Sequence, residues 1–267
     1  MIIVRQLYTQ SPLRNFCYVA IDSGTGDCLV IDPYDAGPLI TLLESEGLHL
    51  RGILNTHEHH DHTCGNAGLL EYKKVPVYAH PAAAHLVPGC QTTLADQQKV
   101  QLGDASLKVL HTPGHTMAHL SLLLQENGVA RAVFSGDTLF NAGVGNCYNG
   151  GDPQVLYTSI QQCYQVLDDA VLLYPGHDYL QNNLEFCAEY EPSNTQIRAW
   201  LQGLRQNPAG YLEGAKVTTL GQERQLNAFL RLQEPGLRAD LGQRFTDARL
   251  DSPQSLFLFL RQLRNQW

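Results

Sequence analysis

The sequence predicts a mixed α/β domain followed by a helical C-terminal extension. Up to about residue 177, short apolar runs rich in Val, Ile, Leu and aromatic residues alternate with turn residues, which is typical of strands. After Gly176, apolar residues recur at helical spacing instead. With 267 residues, 43% of them hydrophobic, the chain can form one sizeable core and a smaller second domain. We therefore expect domains at residues 1–177 and 178–267.

The elements of the first domain follow from these runs in order. Phe16–Asp22 and Asp27–Ile31 flank residues 23–26 (SGTG), which is a hairpin signal. Leucines spaced for one face, followed by Gly47, predict a helix over Ala36–Gly47. The further predicted strands are Arg51–Asn55, Val75–Ala79, Ser106–Leu110, Leu120–Leu124, Ala132–Phe134 and Val171–Tyr174. The helices predicted in the second domain are Tyr179–Tyr190, Thr195–Gln206, Gln222–Leu232 and Ser255–Arg264.

Charge and cysteine content argue against several classes of protein. The net charge of −8 argues against nucleic acid as a partner. Residues 1–189 carry 8 Lys/Arg and 19 Asp/Glu, whereas residues 190–267 carry 10 and 7. This difference is either chance or a supply of cations for an anionic ligand. The 7 cysteines are odd in number and form no CxxC pair, which argues against a disulfide framework and a structural zinc knuckle.

Location and assembly are predicted from what the sequence lacks. No apolar stretch approaches the length that crosses a membrane. Residues 1–10 (MIIVRQLYTQ) have neither the apolar core nor the cleavage site of a signal peptide. We therefore expect a cytoplasmic protein with no membrane partner. Because no coiled-coil or repeat pattern occurs, we expect a monomer.

The segment Thr56–His62 (THEHHDH) carries four side chains that can bind a metal, His57, His59, Asp61 and His62. In a regular strand, alternation would align the first three and turn His62 to the opposite face. A tight loop can instead divide them, with His57 and His59 at one metal and Asp61 and His62 at a second one close by. Taken alone, the segment could also be a loop that merely attracts metal.

Three further candidates, His115, Asp137 and His177, each follow a glycine at the end of an apolar strand. Glycine lets the chain turn sharply, so that side chains can converge on a crowded site. For His119, a supporting role near His115 and a packing role are equally open. The histidines interpreted as ordinary are His49, His60, His80, His85 and His111.

These motifs resemble those of the metallo-β-lactamase superfamily. THEHHDH is similar to its T-H-x-H-x-D-H signature, and HTPGHT (111–116), SGDT (135–138) and GH (176–177) are similar to its remaining ligand motifs, in order. The resemblance implies an αββα sandwich that binds two divalent metal ions, most often zinc, with iron or manganese as alternatives. It also implies the ligand sets: His57, His59 and His115 for the first metal, Asp61, His62 and His177 for the second, and Asp137 bridging both.

Later segments resemble the glyoxalase II, or hydroxyacylglutathione hydrolase, family. The similar segments are GDTLF (136–140), GHDY (176–179), EPSN (191–194), NAFLR (227–231) and LRQLRN (260–265), so the resemblance covers nearly the whole chain. It implies hydrolysis of S-(2-hydroxyacyl)glutathione, typically S-D-lactoylglutathione, to glutathione and D-lactate in methylglyoxal detoxification. Residues 1–177 would then be the catalytic domain, and residues 178–267 would bind glutathione.

The chemistry that the resemblance implies explains the residue types. A hydroxide shared by two metals would attack the thioester carbonyl, since a metal lowers the pKa of bound water to about 7. The leaving thiolate, with a reference pKa of about 8.5, needs no strong acid. Asp61 and Asp137 are therefore the catalytic candidates. The resemblance assigns substrate contacts to Tyr148, Tyr179, Arg261 and Arg264, and it places Asn146 where the family usually carries a basic residue.

Other departures from the family pattern also bear on substrate preference. They are Arg264 for Lys, Asn265 for Asp, Asp178 for Glu and Ala118 for Gly. The alternatives are another hydrolase of this superfamily with a different thioester or a lactone as substrate, and an iron-dependent persulfide dioxygenase that uses one metal. A binding module with a vestigial site is a third. The complete ligand set argues against the third alternative and favours two metals.

Overall fold

The computed structural model describes residues 1–206 and 216–267, and two six-stranded sheets form its centre. The first sheet follows chain order: β1 (Ile2–Tyr8), β2 (Phe16–Asp22), β3 (Asp27–Ile31), β4 (His49–Leu54), β5 (Val77–Ala79) and β6 (Thr92–Thr93). The strands of the second sheet are β7 (Lys99–Leu102), β8 (Ala105–His111), β9 (Leu120–Glu126), β10 (Val129–Gly136), β13 (Leu172–Pro175) and β14 (Thr218–Thr219). Their order across the sheet is β14-β13-β10-β9-β8-β7. A separate hairpin pairs β11 (Leu139–Phe140) with β12 (Gly143–Val144).

Helices lie on the outer faces of the sheets, some between strands in the chain and the others at its C-terminal end. Those near the first sheet are α1 (Ala36–Ser45), α2 (His60–Thr63) and α3 (Asn66–Tyr72). Helix α4 (Pro153–Ser159) continues into a π-helical turn at Ile160–Tyr164. The C-terminal helices are α5 (Leu180–Tyr190), α6 (Thr195–Gln206), α7 (Leu220–Leu226), α8 (Pro235–Arg244) and α9 (Pro253–Gln266).

Strand alternation explains the layers, because successive side chains point to opposite faces of a sheet. All of β2 is buried. On one of its faces Tyr18 packs between the sheets, with its ring centroid 5.3 Å from that of Phe134 on β10. On the other face Val19 packs with Leu39 of α1. The outer face of the second sheet is covered by α4 and the C-terminal helices. The architecture is thus the expected αββα sandwich with a helical C-terminal region.

The structure corrects several expected elements. The helix predicted over Gln222–Leu232 is wrong beyond Leu226, because Asn227 has extended backbone and its side-chain amide bonds carbonyls of the β11–β12 hairpin. The strand predicted over Val75–Ala79 begins at Val77, after Pro76. The helix predicted to reach Gly47 ends at Ser45. The elements that sequence reasoning missed include β1, β7, α4, α8 and the two-residue strands. Within the described ranges, no helix is long and apolar enough to span a bilayer.

Candidate metal centre and adjoining cavity

The histidine-rich segment changes direction where it passes from loop to helix. Asp32 anchors its start, accepting hydrogen bonds from the Thr56 backbone N–H at 2.7 Å and from Thr56 Oγ1 at 2.6 Å. Asn55 Nδ2 donates to the carbonyl of His62 at 2.7 Å and closes the turn. Because α2 begins at His60, the side chains before it and within it face two different groups of potential ligands.

The first group contains His57, His59, His115 and Asp137. Nδ1 of His59 lies 2.9 Å from Nε2 of His57 and 3.1 Å from Nε2 of His115. Nε2 of His115 lies 3.4 Å from Oδ2 of Asp137. Burial lowers the pKa of His57 well below its ordinary value and also lowers the pKa of His115, so both rings are neutral at neutral pH. Neutral imidazole is the form that binds a metal.

The second group contains Asp61, His62 and His177. Nε2 of His62 and Nε2 of His177 are 3.2 Å apart, and each lies 3.5 Å from Oδ2 of Asp61. Burial lowers the pKa of His62, but Asp137 and Asp32 outweigh burial and raise it to about 9. A metal at this position would therefore displace a proton from His62.

Asp137 lies between the two groups and is buried. Its Oδ1 is 3.4 Å from Nε2 of His62, and its Oδ2 is 3.2 Å from Nε2 of His177 and 3.4 Å from Nε2 of His115. Burial raises the pKa of Asp137, yet His177 and His62 hold it well below its ordinary value. Among the residues that the structure describes, Oδ1 has no hydrogen-bond partner. A buried, charged oxygen without a donor is satisfied by a cation.

Outer contacts fix which ring nitrogens face the centre. Nδ1 of His115 donates to the carbonyl of Asn146 at 2.7 Å, and Nδ1 of His177 donates to the carbonyl of Leu13 at 2.7 Å. Nδ1 of His62 lies 3.0 Å from Oδ2 of Asp32. These acceptors leave Nε2 of each ring for the centre, as ligating histidines require. The donor set, the tautomers and the orphaned oxygen fit a binuclear divalent metal site.

Two supporting residues were missed by sequence reasoning. Asp32 is buried with φ of 49° and bonds both Thr56 and His62. It follows the apolar strand β3 but lacks the preceding glycine that marked the other candidates. Asn15 donates from Nδ2 to Oδ2 of Asp61 at 2.8 Å, and nothing in its sequence context indicates this contact.

His119 supports the centre through Asp137 rather than through His115. Its Nε2 accepts the backbone N–H of Asp137 at 3.0 Å, and its ring stacks on His57 with 4.9 Å between centroids. The ring of His115 is 6.2 Å away. Of the histidines interpreted as ordinary, His80 and His111 stack on each other at 4.7 Å. None of the five occurs in a potential metal cluster within residues 1–206 and 216–267.

A cavity of about 170 Å³ adjoins the centre. Its walls come from the β11–β12 hairpin, the following loop, α5 and α9. Lining it are all the predicted substrate residues, Asn146, Tyr148, Tyr179, Arg261 and Arg264, together with Phe140, Val144, Asn183 and Asn265. The ring of Tyr179 stacks on that of His177 with 4.9 Å between centroids, so the cavity and the centre share this edge.

Two arginines give the cavity its charge. Arg261 is only 5% exposed, and its Nη1 donates to the carbonyls of Val144 at 2.9 Å and Gly145 at 3.1 Å. Burial lowers the pKa of Arg261 to about 10, which leaves it cationic at neutral pH. Arg264 donates to Oδ1 of Asn183 at 3.3 Å. No carboxylate lines the cavity, and neither arginine forms an ion pair in the described part of the chain. The cavity therefore carries positive charge and could accept an anion.

An αββα sandwich with His and Asp clusters at its edge defines a protein of the metallo-β-lactamase class with a candidate metal centre. The chain matches the profile of the Metallo-beta-lactamase superfamily over residues 11–177 and that of the Hydroxyacylglutathione hydrolase C-terminus over residues 178–267. It therefore belongs to the hydroxyacylglutathione hydrolase family of that superfamily.

Individual relatives agree with this assignment. The hydroxyacylglutathione hydrolase of Nitrosococcus oceani is 41% identical over 267 residues, covering 99% of this chain and 100% of the relative. The hydroxyacylglutathione hydrolase of Polaromonas sp. is 39% identical over 268 residues, with coverage of 99% and 100%. The crystal structure of ETHE1 from Myxococcus xanthus superposes with a TM-score of 0.68 at 23% identity, covering 98% of this chain and 91% of that one. This last likeness is one of fold alone.

Proposed function

We propose that this protein hydrolyses the thioester of S-(2-hydroxyacyl)glutathione, typically S-D-lactoylglutathione, to glutathione and D-lactate, the step that completes methylglyoxal detoxification. One observation carries the substrate assignment. Arg261 and Arg264 line a cavity without a carboxylate, at the edge of the clustered His and Asp side chains. Glutathione offers carboxylates to such a pair, and its thioester can then reach the centre.

The proposed ligands follow from the two groups of side chains. His57, His59 and His115 would hold one divalent ion, Asp61, His62 and His177 a second, and Asp137 would bridge them. Imidazole and carboxylate suit zinc, which we propose, and also iron or manganese. When bound, the ions supply a water of lowered pKa and polarise the thioester carbonyl.

The residues of the chain would orient the reaction. Asp61, held by the amide of Asn15, lies beside His62 and His177 and can accept a hydrogen bond from the attacking water. Asp137 fixes the separation of the two groups. Water adds to the carbonyl carbon, the C–S bond breaks, and the protons of the water pass to solvent as the carboxylate of the hydroxy acid forms. The sulfur leaves as a thiolate without needing an acid, because thiols have pKa values of about 8.5.

Arginines would provide the charged contacts to the substrate, and tyrosines would provide the apolar ones. Arg264 and the buried Arg261 would pair with a carboxylate of glutathione. Tyr179 and Tyr148 offer flat apolar faces and hydroxyls at the cavity edge. Asn146 contributes an amide where a cation is usual in the family, so these two arginines would carry most of the attraction.

The domain division and cellular context belong to the same proposal. Residues 1–177 would form the catalytic domain, and residues 178–267 would bind glutathione. We propose that the enzyme acts as a cytoplasmic monomer on a small-molecule substrate, without nucleic acid or membrane. Co-sedimentation with liposomes and nucleic acid, and light scattering of the purified protein, test these points.

The decisive experiment is a hydrolysis assay on purified protein with metal analysis of the same sample. We expect turnover of S-D-lactoylglutathione to exceed that of a coenzyme A thioester and of a lactone, with close to two metals per chain. Preferred hydrolysis of the lactone, or sulfite formation from glutathione persulfide with one iron per chain, would replace this proposal by one of the alternatives.

A further inference from the structure

The β11–β12 hairpin contacts the metal centre and also lines the cavity. Asp137 precedes it, and Phe140 packs edge-on against the rings of His177 at 5.8 Å and Tyr179 at 5.2 Å between centroids. After the hairpin, the carbonyl of Asn146 accepts the hydrogen bond of His115. A shift of this hairpin would therefore move both the cavity lining and a contact of the metal centre.

The turn of the hairpin is buried and costly to form. Leu139 pairs with Val144 and Phe140 with Gly143, so that Asn141 and Ala142 make a tight connection. Ala142 has φ of 54°, in the left-handed region, where the Cβ atom of a non-glycine residue crowds the following carbonyl oxygen. Such a conformation persists only where the surrounding structure holds it.

Buried polar side chains of β14, of α7 and of the residue that follows α7 hold this turn. Glu223 of α7 is 0% exposed, and its Oε2 accepts the backbone N–H of Ala142 at 2.7 Å. Its Oε1 accepts Thr218 Oγ1 at 2.7 Å, and that hydroxyl accepts Nδ2 of Asn141 at 2.7 Å. Asn227 adds a bond from Nδ2 to the carbonyl of Gly143 at 3.1 Å. Glu223 thus bonds the strained residue Ala142 directly, and it bonds the neighbouring Asn141 both through the Thr218 hydroxyl and through a longer direct contact of 3.4 Å.

We propose that Glu223 is a positioning residue for the reaction: through Ala142 and Asn141 it sets the hairpin that forms the cavity wall and presents the Asn146 carbonyl. The expected effect of Glu223 on turnover rests on the proposed function, whereas its expected effect on the hairpin does not. A carboxylate suits the position because every group facing it donates. Both oxygens accept, and each receives a donor at 2.7 Å and a second at 3.4 Å.

The substitution Glu223→Gln tests the proposal because it keeps the volume and replaces one acceptor by a donor. An amide nitrogen facing Ala142 would lose the bond from the backbone N–H, and one facing Thr218 would meet Nδ2 of Asn141, which can only donate. The matched control is Glu191→Gln in the same helical region. Glu191 is 1% exposed and bonds Arg231 at 2.7 Å, but it does not touch the hairpin. The milder variant Thr218→Val keeps the shape and removes only the linking hydroxyl.

Two measurements are made on the metal-loaded proteins. Hydrogen–deuterium exchange should quicken at residues 139–146 in Glu223→Gln and, less strongly, in Thr218→Val, but not in Glu191→Gln. For S-D-lactoylglutathione, kcat/KM should fall about 10-fold in Glu223→Gln. It should remain near the wild-type value in Glu191→Gln, even when the two variants lose the same number of degrees in melting temperature.

The outcomes separate this proposal from the proposed function. Unchanged hairpin exchange in both hairpin-linked variants would overturn the positioning role, as would equal activity loss in the control. If Glu223→Gln does not fold, Thr218→Val decides by the same two measurements. If the wild-type protein hydrolyses a different thioester or a lactone, the exchange data still decide whether Glu223 positions the hairpin, and that substrate replaces lactoylglutathione in the kinetics.

Discussion

The metal centre and the cavity beside it differ in how the sequence encodes them. The centre draws most of its side chains from short motifs, with four candidates between His57 and His62 and the others each directly after a glycine. The cavity draws ordinary residue types from a hairpin, from α5 and from the last helix. Converging metal ligands need particular residues at particular turns, so they leave a local pattern. A surface that binds an anion needs only a cation in the right place, and that place is set by the fold.

The largest expected effect is at the residue that touches both groups of the centre. Asp137→Asn keeps the shape of the side chain but removes its charge, and Oδ1 of Asp137 receives no hydrogen bond among the described residues. We therefore expect kcat to fall at least ~10³-fold. Metal content should fall from two ions per chain to one or fewer. Kinetics with elemental analysis of the same preparation measure both.

The exposed variant Asp104→Asn serves as the control for a change of net charge, and it should retain activity and metal. Near-normal turnover with two metals in Asp137→Asn would show that this residue does not bridge. The strongest example of a metal ligand indicated by a local sequence motif would then be wrong.

A smaller effect is expected at Asp32, which supports the centre through its hydrogen bonds to Thr56 and His62. Asn at this position keeps the volume but cannot accept all three hydrogen bonds from the Thr56 N–H, the Thr56 hydroxyl and His62. We expect metal affinity to weaken about 10–100-fold and activity to return with added metal. A competition titration against a chelator measures the affinity.

Asp35→Asn is the matched control, because Asp35 caps α1 from an exposed position. It should leave metal affinity unchanged, since Asn is also a good cap. Equal affinities in Asp32→Asn and wild type would mean that His62 is oriented by its packing alone.

Short-range patterns in the sequence predicted the mixed α/β domain, its helical extension and the side chains that the structure clusters, whereas the αββα arrangement was predicted from the resemblance of the motifs to those of the superfamily. It could not place Asp32 or Asn15, whose roles arise from contacts with residues more than twenty positions away. The prediction of a helix beyond Leu226 was wrong for the same reason, a long-range contact. Asn227 leaves the helix and bonds carbonyls of a hairpin more than eighty residues earlier. Long-range polar contacts of this kind have no periodic signature.

The excess of cations in the C-terminal region shows a related limit. Charge alone could not distinguish chance from a binding role. In the structure, Arg231 pairs with Glu191, Arg244 with Glu189 and Arg224 with Asp169. Arg261 and Arg264 instead line the cavity. These ion pairs involve three of the ten cations of the region, and only their positions in three dimensions separate them from the two that line the cavity.

The smallest expected effect distinguishes those two arginines. Arg264→Gln should raise KM for S-D-lactoylglutathione about 10-fold with kcat nearly unchanged, because it removes a charged contact to the part of the substrate that does not react. Arg261→Gln should also lower kcat, since Arg261 bonds the carbonyls of Val144 and Gly145 and so supports the hairpin wall. Steady-state kinetics with a small neutral thioester provide the comparison, and Arg264→Gln should leave its KM unchanged. An equal rise of KM for both substrates would mean that Arg264 shapes the cavity rather than binding a carboxylate, and the cavity would then need another source of its selectivity.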